Sequence, residues 1–398
     1  MAKVLYISYD GMLEPLGRSQ VLGYLEKLAE THKIVLISYE KSSDLKQKER
    51  RKELKSRINN ASIVWIPMRY HKKPSSVATA YDVFRGIIVA SFAALKYKIS
   101  IVHARSYVPS LIALFLKWAF NKKFIFDMRG FWADERVDGG LWPANSRIYK
   151  VAKWFEKKFL IKTDCVVSLT KAAIEHMQTF EYLAGRQTRF EHITTCADLD
   201  LFRPPETITG KPGNRFTLGY VGSVGVWYLF DEVLRFYRMF HEKIPHTTLH
   251  IINRGDHPYI YDRLVALNID LKFVKVESLE HKYVAKAMHK MDAGIFFIKP
   301  AYSKLASSPT KLGEFLGCGV PCIGNKGVGD MAEILEDNNV GVALNGFETD
   351  QINRSIDEFL RLKEDNEISK RCREVALKYF PLDHGVKKYN EIYNSLGK

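Results

Sequence analysis

The strongest constraint in this sequence is an alternation that runs through it twice. Short runs of β-branched and aromatic residues alternate with stretches of helical period. Val4–Ser8 ends in Tyr9-Asp-Gly, and a helix-period stretch covers 19–29. Ile34–Ile37, Ser62–Ile66, Ile101–His103, Phe124–Phe126 and Cys165–Leu169 read as further strands. Val77, Tyr81, Phe84 and Ile88 recur at helical spacing, and another helix is expected over Leu111–Trp118. Strands separated by helices in this way form βαβ units around a parallel sheet.

The stretch from Thr194 to Asn214 interrupts the pattern with Arg203-Pro-Pro and Gly210-Lys-Pro-Gly, which is linker chemistry. The alternation then restarts. Strands are expected at Phe216–Val221, Thr248–Ile252, Leu271–Val276 and Ala293–Ile298. Helices are expected from Phe230, at Tyr283–Lys290, from near Ser308, and over 351–363, 368–379 and 384–396. The chain therefore reads as two doubly wound α/β domains, 1–205 and 213–380, with a last helix in 381–398 returning to the first. A length of 398 residues is ample for two cores. Open parallel sheets bind ligands beyond the carboxyl ends of their strands. The chemistry is thus expected in strand-end loops bordering an interdomain cleft.

Composition narrows the class. Five scattered cysteines with no CxxC pair argue against a disulfide framework or a zinc site and point to a reducing cytosol. The chain begins directly with a strand, so no signal peptide is expected. Its longest apolar stretch, Gly86–Leu95, is about half of a membrane span. The net charge is +15, and its distribution is uneven. Residues 1–200 hold 33 Lys and Arg against 20 Asp and Glu, a balance of +13, and the remainder carries +2. An excess confined to one half implies that the two domains face different partners.

The most informative stretch is Ala306-Ser-Ser-Pro-Thr-Lys-Leu-Gly-Glu-Phe-Leu-Gly-Cys-Gly-Val-Pro. Ser307 or Ser308 is a suitable N-cap and Pro309 suits the first helical position. The free N–H groups of this helix start, with Lys311 and the Thr310 hydroxyl in the same turn, form an anion site that suits a diphosphate. Glu314, facing away by spacing, is placed to accept hydrogen bonds from a ribose diol. An ordinary capped helix with a surface lysine is the alternative.

This stretch resembles the donor-nucleotide motif of GT-B-fold glycosyltransferases, in particular glycosyltransferase family 4 (group 1). Thr195-Cys-Ala-Asp198 with Phe202-Arg-Pro is similar to the family's linker. Gly222-Ser223 is similar to the loop opening its C-terminal domain. Gly327-Val-Gly-Asp330, the Tyr389/Tyr393 helix and the loop Asp127–Glu135 also match. The resemblance spans nearly the whole chain. It implies the GT-B fold, two facing Rossmann-like domains with a cleft between them. It implies a retaining, metal-independent hexosyl transfer from a UDP- or GDP-sugar, with no cofactor besides that substrate. Two departures stand out. The family's motif carries two glutamates, and Ala306 occupies the place of the first. Ser223 and Tyr228 replace the familiar Arg and Lys after the domain-opening strand. Arg254, Lys299 and Lys311 are then the candidates to balance the diphosphate charge.

On the acceptor side the resemblance points to the loop after Phe124–Phe126. Arg129 occupies a position where many relatives carry His, and as a guanidinium it orients groups but cannot serve as a base. Asp127 or Glu135 is placed to accept the acceptor hydroxyl's proton; a salt bridge to Arg129 or Arg136 is the other reading for each. His103 ends its strand and is equally a structural residue. The first loop, with Asp10, Gly11, Gly17 and Arg18, resembles the family loop that closes over donor and acceptor, and its glycines permit close backbone approach.

The basic half suggests an anionic membrane surface. In the helix from Ser146, the residues Ile148, Val151, Phe155 and Phe159 share one face and Lys150, Lys153, Lys157 and Lys158 lie elsewhere. That is either a core helix with a basic exterior or an interfacial helix. No RRM signature, zinc-finger spacing or helix-turn-helix is present, so nucleic acid is not the expected partner. The sequence reading is a peripheral enzyme on the inner face of the cytoplasmic membrane. It would extend a lipid-linked or oligosaccharide acceptor in bacterial lipopolysaccharide, capsule or exopolysaccharide synthesis. A nucleotide-sugar epimerase or hydrolase of the same fold, and a non-catalytic adaptor with a degenerate donor site, are the alternatives.

Overall fold

The computed structural model describes residues 1–14, 17–73, 75–205 and 216–397. The linker sequence Gly210–Asn214 lies outside them. The chain divides into two compact units, Met1–Thr194 with Leu382–Lys398, and Thr195–Pro381.

The first unit is a seven-stranded parallel sheet in the order β3-β2-β1-β4-β5-β6-β7. Its strands are β1 (Lys3–Ser8), β2 (Lys33–Glu40), β3 (Val64–Arg69), β4 (Ile101–Arg105), β5 (Lys123–Asp127), β6 (Cys165–Ser168) and β7 (Phe190–His192). A π-helical segment, α1 (Arg18–Leu22), runs into α2 (Gly23–Leu28), and α3 (Ser42–Leu45) and α4 (Lys48–Asn60) follow β2. The others are α5 (Ser75–Lys96), α6 (Tyr107–Phe120), α7 (Trp132–Asp138), α8 (Arg147–Lys162) and α9 (Lys171–Gln178).

The second unit is a six-stranded parallel sheet in the order β10-β9-β8-β11-β12-β13. It contains β8 (Thr217–Val221), α10 (Phe230–Lys243), β9 (Thr248–Ile252), α11 (His257–Ala266), β10 (Val274–Glu277), α12 (His281–Met288) and β11 (Ala293–Ile295). Then come α13 (Thr310–Gly317), β12 (Cys322–Asn325), α14 (Met331–Asp337), β13 (Gly341–Leu344), α15 (Thr349–Lys363) and α16 (Ile368–Tyr379); α17 (Leu382–Leu396) closes the chain in the first unit. In the first sheet the strands run outward from β1 to β3 and then cross back to β4 on its other side; in the second they run from β8 to β10 and cross back to β11. That reversal creates a switch point where strand-end loops diverge.

Several expected boundaries move. The strand read at Leu271–Val276 begins with a 3-10 turn, Leu271–Phe273, and pairs only from Val274. Residues 195–205 belong to the second unit, not to the first. Phe202 is fully buried in that core, and the Arg373 guanidinium donates to the carbonyl oxygens of Leu199 (3.0 Å), Phe202 (2.8 Å) and Gly317 (3.1 Å). A Cβ on Gly317 would stand 2.6 Å from the Phe202 carbonyl oxygen, so the absent side chain lets this strap lie flat on α13.

In the first unit α17 packs on α2. Lys27 and Asp383 form an ion pair there. All five cysteines are buried and none is in a disulfide, and burial raises the thiol pKa of Cys165, Cys318, Cys322 and Cys372.

Candidate functional site

In the second unit the donor-motif residues gather where β8, β9 and β11 end and α13 begins. The turn after β8 is tied to the turn after β9. Gly222 N–H donates to the Ile252 carbonyl (3.0 Å), and Asn253 Nδ2 donates to the Gly222 carbonyl (2.9 Å). Asn253 Oδ1 also accepts from Gly255 N–H and Asp256 N–H, which fixes the β9 loop. Arg254 and Ser223 are exposed on these two loops. Gly222 has φ +124°, and a Cβ there would stand 2.6 Å from Lys311 Nζ. Only glycine leaves room for that ammonium without backbone strain.

Lys311 is the unusual group. Its side chain is buried, with Nζ 4.0 Å from the Tyr228 ring centroid, 5.3 Å from Tyr220 and 5.5 Å from Phe296. Nζ has no hydrogen-bond partner. Burial lowers its pKa to about 7, against an opposing pull from the Glu314 charge. Ring faces stabilise a cation without neutralising it. The result is a dry ammonium of a kind that can pair with an anion.

The start of α13 differs from the expectation. Pro309 is the N-cap, not the first helical residue, and makes no side-chain cap hydrogen bond itself. Ser307 instead closes the preceding 3-10 turn, Tyr302–Ala306. Ser307, Ser308 and Thr310 are all half-buried beside this helix start. Glu314 lies one turn beyond Lys311, and its charge acts on the lysine. Its Oε1 is 3.5 Å from His281 Nε2, and this contact raises the histidine pKa. Lys299 is exposed at the end of the β11 segment, and its N–H donates to the Trp227 carbonyl (2.9 Å). Ala306 is buried.

Three contributors escaped the sequence reading. In sequence Tyr228 is only a departure from the family pattern, whereas in the structure its ring is the nearest of the three that line Lys311. Asn253 carried a usable signal, since it directly follows a strand. His281 carried none, because the turn from β10 to α12 alone brings it to Glu314. Lys304, also buried, holds Nζ 3.7 Å from the Trp227 ring centroid.

In the first unit the acceptor-side residues separate into two groups. Asp10, Arg105, Asp127 and Arg129 lie at the ends of β1, β4 and β5. Arg105 Nε is 3.3 Å from Asp10 Oδ2, and Arg105 Nη1 is 3.9 Å from Asp127 Oδ2. Arg129, at φ +59°, is half-buried. Burial alone would raise the Asp127 pKa, but Arg129, His103 and Arg105 together hold it below the ordinary value.

Asp127 does not have the exposure expected of an acceptor base. It is fully buried, with Tyr389 donating to Oδ2 (3.1 Å), and its backbone carbonyl accepts from Ser106 N–H. His103 is likewise internal. Its Nδ1 meets the Tyr393 hydroxyl at 2.6 Å, its Nε2 stands 3.5 Å from Asp127, and burial lowers its pKa, which favours the neutral ring. Both residues join α17 to the sheet. Glu135 remains half-buried in α7, whereas the neighbouring Asp134 is buried and bound by Tyr149 (2.7 Å) and Lys153 (2.8 Å).

The first loop also divides. Gly11 and Gly17 meet as close backbone neighbours, since a Cβ on Gly17 would stand 2.1 Å from the Gly11 carbonyl oxygen. The buried Glu40 carboxylate accepts from Met12 N–H (2.8 Å) and Leu13 N–H (3.1 Å). For Arg18, burial together with Arg50 and Arg57 lowers the pKa and Glu53 opposes them. Among the described residues no group of three His, Cys, Asp or Glu side chains is arranged to hold a metal ion.

A glycosyl transferase 4-like domain model matches residues 18–191, and a glycosyl transferases group 1 model matches 206–378. No curated protein gives a significant match by sequence. Among solved structures, the chain is similar to sucrose-phosphate synthase from Thermosynechococcus elongatus, with TM-score 0.74, 14% identity, and 100% of this chain and 99% of that one covered. It is similar to Anabaena Alr3699/HepE in complex with UDP and glucose, at TM-score 0.67 and 12% identity, covering 99% of this chain and 100% of that one. It is also similar to the apo form of the lipopolysaccharide outer core galactosyltransferase WaaB, at TM-score 0.63 and 13% identity, with 99% of each chain covered. These likenesses give the fold, and the two domain models together give the family: the chain belongs to the group 1 glycosyltransferases of the GT-B fold.

Proposed function

We propose that this protein is a retaining, metal-independent hexosyltransferase that uses a UDP- or GDP-sugar. Its acceptor is a lipid-linked or oligosaccharide glycan in bacterial cell-surface polysaccharide synthesis, at the inner face of the cytoplasmic membrane. The observation that carries the donor half is Lys311, a buried ammonium without a hydrogen-bond partner beside the side-chain-free Gly222. A nucleotide diphosphate supplies the missing charge, and α13 adds the N–H groups of its first turn. Glu314, with His281 3.5 Å away, accepts hydrogen bonds from the ribose diol in this reading. In the transfer, the bond from the anomeric carbon to the diphosphate oxygen breaks and a bond to the acceptor oxygen forms on the same face. The diphosphate keeps the electron pair, and Lys311 stabilises the charge that develops. The acceptor proton passes to the departing diphosphate. Arg129 orients the incoming group.

Ala306 favours a second reading, an adaptor that has lost turnover, because the motif glutamate is replaced by a buried methyl group. A thermal-shift panel of UDP-, GDP- and ADP-sugars, followed by product analysis with and without acceptor, tests both. A shift with one nucleotide class and acceptor-dependent product of unchanged anomeric configuration, insensitive to chelator, supports the proposal. Nucleotide binding without any product supports the adaptor. Sugar release or a changed nucleotide-sugar without acceptor identifies a hydrolase or epimerase.

A further inference from the structure

Helix α5 is built inside out. It turns Ala78, Asp82, Gly86, Ala90, Ala93 and Ala94 inward, all of them buried. Outward it presents Val77, Tyr81, Phe84, Ile88, Phe92 and Leu95, each 52% to 66% exposed. A helix on a solvated domain places its large apolar side chains the other way round. Nor can α5 rotate to hide them. A Cβ on Gly86 would stand 2.2 Å from the Tyr39 hydroxyl oxygen and 2.5 Å from Ile112 Cδ1. The buried Asp82 carboxylate accepts from Tyr9 (3.0 Å) and from His71 N–H (3.0 Å), and contacts His71 Nδ1 at 2.6 Å. The small residues lock the helix onto β1 and α6 and fix the stripe outward. By length and composition Ser76–Lys96 is long and apolar enough to cross a membrane, yet this packing makes it a part of the domain wall.

The stripe covers five turns, about 27 Å of helix. It continues sideways, because α6 packs on α5 and α8 packs on α6. Trp118 of α6 is 81% exposed, and Trp154 of α8 is exposed as well. On α8 the expected single apolar face is split: Phe159 is buried, while Ile148, Val151 and Trp154 point outward.

Charge identifies what covers this wall. Residues 61–126 hold ten Lys and Arg and a single acidic residue, the buried Asp82. Lys72, Lys73, Lys96 and Lys98 are exposed around the ends of α5. Arg85 stands 5.5 Å from the Tyr81 ring centroid and Lys96 5.8 Å from that of Phe92, so cationic heads lie beside the stripe. A second copy of the chain would set one positive surface against another. An apolar stripe edged by cations instead matches an anionic leaflet, with the rings at the acyl boundary and the ammonium groups at the phosphates.

We propose that the α5–α6–α8 wall of the first unit seats this protein on an anionic lipid bilayer, with α5 lying in the interface plane. This rests only on the membrane part of the function proposed above and not on the donor chemistry. The test is flotation of the full-length protein with phosphatidylcholine vesicles and with vesicles also containing phosphatidylglycerol. Wild type is expected to float with the anionic vesicles and not with the neutral ones. F84E/F92E is expected to lose about tenfold or more of that binding at low and high salt, with an unchanged thermal transition and unchanged UDP binding. K72Q/K73Q/K96Q/K98Q is expected to weaken it at low salt only. Wild type that stays unbound, or F84E/F92E that floats like wild type, overturns the proposal. So does a dimer in sedimentation that F84E/F92E dissociates, since the wall would then be covered by a second copy.

Discussion

The ammonium of Lys311 stands 4.0 Å from the centre of the Tyr228 ring and meets no hydrogen-bond acceptor. Removing that charge is expected to weaken nucleotide binding and, at the same time, to relieve the folded apo protein. Lys311→Met should cost about 2–4 kcal/mol in UDP or GDP affinity, the scale of a buried charge-assisted contact. The same variant should melt no lower than wild type. Calorimetric titration and thermal melting check the pair. Unchanged nucleotide affinity in both Lys311→Met and Glu314→Ala would remove this cluster from the donor site.

The pH dependence of binding follows from the same group. In the free protein Lys311 loses its proton near pH 7. A diphosphate prefers the charged form, so binding above that pH must take up a proton. Affinity is expected to fall by up to about tenfold per pH unit above 7, and Lys311→Met should flatten the profile. Apo stability runs the opposite way. The unfolded lysine titrates at roughly 10.4, so between 7 and 10 the unfolded state binds more protons and stability rises with pH. Titrations at pH 6 to 9 and melting curves over the same range measure both slopes.

Gly222→Ala is expected to injure the site by two routes. The residue sits at φ +124°, and the new methyl group would reach Lys311 Nζ at 2.6 Å. The lysine end can shift, but the backbone strain stays, at about 1–3 kcal/mol. Chemical denaturation should show that loss, and nucleotide affinity should fall as the ammonium is displaced.

Tyr389→Phe removes the hydroxyl that donates to the buried Asp127 carboxylate. A loss of about 1–3 kcal/mol in urea unfolding is expected, because an acceptor in the interior loses a partner it cannot replace with water. His103 adds a pH signature. Its folded pKa lies below the unfolded value, so the unfolded state gains the proton first and stability is lost as pH falls through about 6.5 and below. His103→Gln should shrink that acid-side loss.

Much of this molecule was written in local pattern. The strand runs Thr248–Ile252 and Ile101–His103 are buried on both faces of their sheets and therefore lack polar alternation. They were readable because a parallel sheet needs such runs between helices. The boundary of Leu271–Val276 was not, since pairing with β9 decides where extended chain becomes strand. The group of Thr310, Lys311 and Glu314 was legible as residue types at fixed spacing in α13. The role of Asp127 was not. A carboxylate at a strand end looks the same in sequence whether it faces solvent or α17, and Tyr389 lies 262 residues away.

By itself, then, the sequence determined the two parallel sheets, the family, the grouping of Gly222, Thr310, Lys311 and Glu314, and the basic character of the first half. Those follow from short-range periodicity, motif spacing and charge count. Only the tertiary structure decided that Lys311 is dry and without a partner, that Asp127 and His103 are sealed beneath α17, and that α5 shows its large side chains to the outside. Helical spacing gives the face that Val77, Tyr81, Phe84 and Ile88 share. Whether that face meets the sheet depends on which opposite face fits it, and the alanines, Gly86 and Asp82 fit more closely than rings could.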